Sequence, residues 1–211
     1  MEITQKFIEE KLKTFISEEK RIEWLEKISE QIIDKELKKF CYLKIAELYE
    51  KKRMLSSAIN YYVLASSLIE KYRENIGVML KISQLYVKSL NFQYAEDFLR
   101  KALSYASTRE REEIEKKFFN FFIEEAKTYE EKKRFSKAVQ FYKYLADKGI
   151  NRIEMLNKIA ELYDKAALPL EASKIRSQIK FIKEKEEEEK REKEKRKIRE
   201  MSRADKILYE I

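Results

Sequence analysis

The chain has 211 residues and a formal net charge of +8, with 47 Lys or Arg against 39 Asp or Glu. Two glycines, one proline and no Asn-Gly or Asp-Gly dipeptide leave too few turn formers for a sheet with many tight hairpins. Because charged residues make up 41% of the chain and good helix formers dominate, the composition predicts an all-α fold.

Residue types that most enzymes and metal sites need are missing. The chain has no histidine, which is the commonest general base and a frequent zinc ligand. Its one cysteine, Cys41, can form neither a zinc cluster nor an internal disulfide. The two glycines, Gly77 and Gly149, lie too far apart in the sequence to build a phosphate-binding loop. We therefore expect no catalytic site, no metal site and no cofactor.

The sequence also bears on location. No apolar stretch is long enough to cross a membrane. The N-terminal sequence MEITQKFIEEKLK lacks the basic and apolar regions of a signal peptide. A single cysteine suits a reducing compartment, so these features together predict a cytoplasmic protein.

Residues 1–38 are predicted to form a helical hairpin that packs on the rest of the protein. Apolar residues recur at helical spacing in two segments, the first beginning at Ile3 and the second at Ile22. Ser17 can cap the second helix, and Asp34 can cap the helix that follows.

One pattern occurs four times between residues 39 and 182. A tyrosine is followed nine residues later by an alanine, and a small residue stands three positions before each tyrosine. Two helices that cross closely need small side chains at the crossing, so each occurrence predicts a pair of packed helices. The four sets are Ala46, Tyr49 and Ala58; Ser83, Tyr86 and Ala95; Ala126, Tyr129 and Ala138; and Ala160, Tyr163 and Ala172.

Turn and capping residues mark the first two junctions between pairs. Asn75 and Gly77 suit the connection between the first and the second pair. Ser107 and Glu110 match the capping box S-x-x-E, which predicts the start of the third pair.

The fourth pair has its own boundary signals. Gly149 is predicted to stop the helix before it, and Asn151 can cap its first helix. Pro169 suits the first turn of its second helix, where a missing N–H does no harm.

The four tyrosines are spaced by 37, 43 and 34 residues. A unit of two helices with a period near 34 residues resembles the tetratricopeptide (TPR) repeat. The resemblance covers about residues 39–182 and implies four helix pairs in a right-handed superhelical array. The chain departs from the family's pattern at several places: the usual glycine is Ala or Ser and the terminal proline is missing. Arg176 replaces an aromatic or apolar residue, Ile179 replaces a small one, and Glu125 stands where an apolar residue is normal.

The resemblance implies a concave groove, lined by the first helix of each pair, that takes an extended peptide or a helix. Some family members clamp a C-terminal carboxylate there, but Glu47 and Gln84 stand where the clamp needs Asn or Lys. The groove grades from apolar to acidic, so the expected partner is amphipathic or basic. The implied groove residues are Phe40, Leu43, Glu47, Glu50, Leu80, Gln84, Asn120, Lys127, Glu154, Asn157, Glu161 and Asp164.

Residues 183–211 are predicted to form a charged extension with an apolar tip. In the range 183–200, 17 of 18 residues are charged, and many acid–base pairs lie at i, i+4, as Glu186 and Lys190 do. The segment is therefore either a long charged helix or disordered. Three residues of its amphipathic tip are candidates for docking onto another copy of the chain: Ile207, Leu208 and Ile211.

Three functions agree with these patterns. The first is a non-catalytic scaffold or adaptor that binds another protein in the groove, as in the assembly of a larger complex; one of the chain's own terminal helices could instead fill the groove. The second is a solenoid that binds RNA or DNA through its positive charge and the basic patch KEKRKIR. The third is self-assembly through the tail. The repeat pattern and the missing catalytic residues favour the first.

Overall fold

The structure is a computed structural model that describes the backbone of residues 3–209 and the side chains of residues 3–196. This part of the chain is helical throughout and contains no strand, which confirms the predicted all-α class. The helices are α1 (Gln5–Thr14), α2 (Glu18–Gln31), α3 (Lys35–Lys51), α4 (Leu55–Leu68), α5 (Tyr72–Lys88), α6 (Phe92–Tyr105), α7 (Thr108–Glu131), α8 (Phe135–Asp147), α9 (Arg152–Lys165) and α10 (Pro169–Tyr209).

The chain divides into two compact units, residues 1–121 and 122–211, and each is described by itself. The first holds α1 to α6 and the start of α7. The second holds the rest of α7 and α8 to α10. The domain bounds given above, including a separate extension from residue 183, remain predictions.

In the first unit, the α1–α2 hairpin shares a core with α3. Ile8, Leu25, Cys41 and Ile45 are fully buried in this core. Both predicted caps are confirmed: the Ser17 side chain accepts a hydrogen bond from the Lys20 N–H, and the Asp34 side chain accepts one from the Leu37 N–H at 2.7 Å. The caps fix where α2 and α3 begin, and hence how the hairpin meets the first helix pair.

The repeated small residues of the first unit lie at close helix crossings, as predicted. Ala46, Ala58, Ser83 and Ala95 are all completely buried. The Ser83 hydroxyl on α5 donates to the Ala95 carbonyl on α6 at 2.6 Å. A side chain that reaches the backbone of the next helix leaves no room for a larger one, so the small residues set the distance between the paired helices.

The predicted connection at Asn75 and Gly77 is wrong, because both residues lie inside α5. Asn75 is buried, and its side chain binds the end of α4. Its Nδ2 donates to the Ser66 carbonyl at 3.1 Å, and the Ser66 hydroxyl donates to its Oδ1 at 2.6 Å. Asn75 therefore joins two helices, and the connection lies before Tyr72.

The predicted capping box at the start of α7 is confirmed. The Ser107 N–H donates to the Glu110 carboxylate at 2.9 Å, and the Glu110 N–H reaches the Ser107 hydroxyl at 3.5 Å. Hydrogen bonds from the Ser107 hydroxyl and N–H lower the pKa of the Glu110 carboxyl, because the charged form is the better acceptor.

In the second unit, Ala126, Ala138, Ala160 and Ala172 are buried like their counterparts. The predicted stop at Gly149 and the predicted start at Pro169 are confirmed, since α8 ends two residues before the first and α10 begins at the second. Asn151 precedes α9 as predicted, but its side chain makes no capping hydrogen bond because its own backbone is left-handed, with φ of 43°. This capping prediction is therefore wrong.

The turn inside each of the four helix pairs has the same backbone. A residue in the left-handed conformation stands four positions after the repeat tyrosine, and the next N–H returns to that tyrosine's carbonyl oxygen at 2.8 or 2.9 Å. This is the Schellman motif, and here its last residue stands directly before the first residue of the next helix. The left-handed residues are Arg53, Leu90, Lys133 and Ala167, none of them glycine.

Replacing Ala167 by glycine is expected to raise the free energy of unfolding by about 0.5–1 kcal/mol, since glycine adopts φ of +56° without steric cost. Gly149 offers the reverse experiment. Its φ is +76°, and no atom lies within 4 Å of the position that an added Cβ would take. Gly149→Ala is expected to lower the free energy by about 1 kcal/mol or more. Urea unfolding followed by circular dichroism measures both, and changes of the same sign would contradict the prediction.

Candidate functional site

The groove face is defined here as the positions nine, six and two residues before each repeat tyrosine. In the first unit, α3 supplies Phe40, Leu43 and Glu47, and α5 supplies Leu80 and Gln84. Glu47 is exposed and the other four are half-buried. On each helix these residues follow one another by about one turn, so they lie along one side of it.

Lys44 links two of the predicted residues on α3. Its Nζ lies 5.6 Å from the centre of the Phe40 ring and 3.0 Å from a Glu47 carboxylate oxygen. The lysine thus adds a positive charge beside the one acidic residue of this stretch. The groove face of the first unit is therefore apolar with nearly balanced charge.

Glu50, a further predicted groove residue, already has two partners in the first unit. Its carboxylate forms an ion pair with Lys81 of α5 at 2.9 Å and accepts a hydrogen bond from the Tyr62 hydroxyl of α4 at 3.4 Å. Burial raises the pKa of the Tyr62 phenol, and the charge of Glu50 raises it further. Glu50 ties three helices together, which leaves it less able to bind a partner.

The second unit repeats this contact twice, always between residues twelve positions apart. The Tyr142 hydroxyl donates to the Glu130 carboxylate, and burial together with this bond raises the pKa of Tyr142. Asp164, another predicted groove residue, forms an ion pair with Arg176 of α10. This ion pair accounts for Arg176, which departs from the TPR pattern. Its guanidinium stands where Tyr62 and Tyr142 have a phenol, and it still reaches the carboxylate.

The remaining predicted groove residues carry exposed polar side chains. In the second unit, Lys127 lies on α7, and Glu154, Asn157 and Glu161 lie on α9. Glu161 forms an ion pair with Lys158 at 3.2 Å, one turn away on its own helix. Asn120, on the part of α7 that belongs to the first unit, is exposed as well.

A second surface of the first unit was missed by the sequence reasoning. A cavity of about 610 Å³ opens between α4 and α6, on the second helices of the first two pairs. Its lining includes Val63, Leu64, Tyr86, Tyr94 and Phe98. Tyr94 is 58% exposed and stacks on Tyr86 with ring centres 5.3 Å apart. Apolar residues at solvent-facing positions of α4 and α6 were the available signal.

Other predicted features concern single residues or the tail. The side chains of Ile207 and Leu208, and all of Ile211, lie outside the described residues, so tail docking stays a prediction. Cys41 is buried, and burial raises the pKa of its thiol to about 11. A thiol held in the neutral form at ordinary pH is a poor nucleophile, so Cys41 is a core residue.

Among the residues that the structure describes, no group of three or more His, Cys, Asp or Glu side chains is placed to hold a metal ion. None of the helices in this part of the chain combines the length and apolar character that crossing a membrane requires.

Comparisons with known proteins find matches among solved structures. No protein-family model matches the chain, and no curated protein matches it. Two crystal structures of a Podosopora anserina protein assigned as a kinesin light chain, with nearly identical TPR-like repeats, are similar at 12% sequence identity. One, from a single-substitution variant, gives a TM-score of 0.39 over 87% of this chain and 94% of that chain. The other gives 0.38 over 85% and 93%.

The protein's own geometry defines its class. Four helix pairs share the same turn motif and the same pattern of buried small residues. In each pair, the buried small residue of the second helix lies twelve positions after that of the first helix. The chain is therefore an all-α, TPR-like helical repeat protein.

Proposed function

We propose that the chain is a non-catalytic scaffold or adaptor, and that it binds a peptide or helix of another protein along the groove face. Helix-pair arrays present extended surfaces that suit this role. The observation that carries the proposal is the contrast along the first helices. The repeat positions at the crossings are buried, whereas the groove positions between them are half-buried or exposed.

The two units favour different parts of a partner. The groove face of the first unit is mainly apolar, with Phe40, Leu43 and Leu80 half-buried. In the second unit, Glu154 and Glu161 are exposed acids. Asp164 contributes less than the sequence implied, because Arg176 already neutralises it. An apolar segment suits the surface of the first unit and a basic segment suits that of the second, so the expected ligand is an amphipathic or basic segment.

Site-specific photo-crosslinking in the native cell tests this proposal. A photoreactive amino acid replaces Glu47 or Lys127, which are exposed groove positions, or else Gln93 or Gln140, which are exposed on second helices. We expect the two groove positions to give an adduct of one defined mass, because they face the bound segment. The two glutamine positions are matched controls and are expected to give none.

A double variant in the first unit separates specific binding from chance contact. Leu80→Gln with Gln84→Arg removes an apolar side chain and adds a charge, and neither residue belongs to the described core clusters. The adduct should disappear in this variant while the thermal melting curve stays in place. Equal adducts from all four positions, or an adduct that survives the double variant, would refute groove binding.

A further inference from the structure

The turn between α7 and α8 carries an unusual concentration of positive charge. Lys132, Lys133, Arg134 and Lys137 lie within six residues of the chain, and all four are exposed. None of them forms an ion pair with any residue whose side chain the structure describes. These four residues are called the basic turn.

The fold does not require this charge. All four turns inside helix pairs share the same backbone, yet the corresponding residues of the second and fourth turns, 89–91 and 166–168, are uncharged. Arg134 and Lys137 stand at the start of α8, where the helix dipole disfavours positive side chains. The turn can therefore form without this charge.

The first turn of the same kind shows how such charge is used within this chain. Lys51 forms an ion pair with Glu18 at 2.6 Å, and Lys52 forms one with Glu19. Glu18 and Glu19 are the first residues of α2, directly after its cap Ser17. Lysines at the end of a first helix and in the turn after it thus pair with two adjacent carboxylates at the start of another helix. In the third pair Lys132 corresponds to Lys52, whereas Glu131 stands where Lys51 does.

The backbone of the basic turn is held rigidly. The Arg134 N–H donates to the Tyr129 carbonyl at 2.8 Å, and the Lys133 N–H donates to the Glu130 carbonyl at 2.8 Å. The Nζ of Lys137 lies 5.6 Å from the centre of the Tyr129 ring, which limits its freedom. The backbone that carries the cations is therefore ordered before anything binds, so binding has to order only their side chains.

We propose that the basic turn is a docking site for an acidic segment of a partner protein, in which two adjacent carboxylates at the start of a helix pair with these cations. The model for the contact is the pairing of Glu18 and Glu19 with the first turn. The site lies outside the groove face, so a partner can use it alone or as a second point of contact. Its test does not depend on whether groove binding exists.

Fluorescence anisotropy at low salt measures the contact with a labelled helical peptide that begins Ser-Glu-Glu. We expect saturable binding that weakens with added salt, and no saturable binding of the Ser-Gln-Gln counterpart. The variant K132E/R134E/K137E should bind about tenfold more weakly or not at all. Lys133 is left unchanged because of its left-handed backbone.

A matched control changes the net charge equally but disperses the substitutions. Lys6, Lys143 and Lys165 are exposed and unpaired among the described side chains, so K6E/K143E/K165E is expected to stay within about twofold of the parent chain. Circular dichroism of both variants checks that they remain folded. Glutamate at the start of α8 is expected to be tolerated, because its negative charge interacts favourably with the helix dipole. An equal loss of peptide binding in the dispersed control would overturn the proposal. A single-stranded RNA with the same charge as the peptide would also overturn it, if the RNA bound more tightly than the peptide and the peptide failed to displace it.

Discussion

Phe122→Ala is expected to lower the free energy of unfolding by about 3–5 kcal/mol, the usual cost of removing a buried aromatic ring. The Phe122 ring is fully buried in the second unit. It stacks on Tyr144 with ring centres 4.4 Å apart and meets Phe141 edge-on at 5.8 Å. Truncation leaves a cavity and removes both ring contacts. Urea unfolding followed by circular dichroism measures the loss.

The control for this change is Phe181→Ala. Phe181 lies on α10 in the same unit but is 62% exposed, so its truncation is expected to change the free energy by no more than about 0.5 kcal/mol. The comparison separates burial from the loss of an aromatic residue as such. Similar effects of the two truncations would mean that Phe122 is not a core residue.

Ala95→Leu is expected to lower the free energy of unfolding of the first unit by about 1–3 kcal/mol, although leucine is an excellent helix former. Ala95 is completely buried, and its carbonyl lies 2.6 Å from the Ser83 hydroxyl of the neighbouring helix. A leucine side chain has to push α6 away from α5 or bend out of its preferred rotamer. Thermal unfolding measures the change.

Gln93→Leu is the matched control for overpacking, since Gln93 lies two residues earlier on the same helix and is exposed. The same new side chain is expected to change stability by no more than about 0.5 kcal/mol there. If Gln93→Leu destabilised the protein as much as Ala95→Leu, the close crossing of the paired helices would not be the cause.

The helix pairs could be predicted from the sequence because their packing depends on residue size at regular positions. Ala58 and Ala95 are small and completely buried where paired helices cross, and the regular spacing of such residues is visible in the sequence. The connection near Asn75 could not be predicted, because asparagine favours turns in general. Its role here depends on a hydrogen bond to Ser66, which only the packed structure brings within reach.

The intramolecular partners of two predicted groove residues could not be predicted from the sequence, for a similar reason. Glu50 and Asp164 look like free acids in the sequence, but each pairs with a residue twelve positions later on the second helix. That spacing is visible in the sequence once the crossing geometry is known. The exposed aromatic surface around Tyr94 was missed because Tyr94 and Phe98 lie on a second helix, outside the face that the TPR resemblance indicates.

The shared turn has a consequence for protein engineering. Only one residue separates the left-handed residue from the next helix, and its N–H binds the tyrosine carbonyl, so an inserted residue would break this hydrogen bond. The chain takes up its extra length elsewhere: α7 has 24 residues, whereas α3 and α5 have 17 each and α9 has 14. Epitope tags, fluorophores or grafted loops should therefore be placed between pairs, as in the connection between α4 and α5, and never within one.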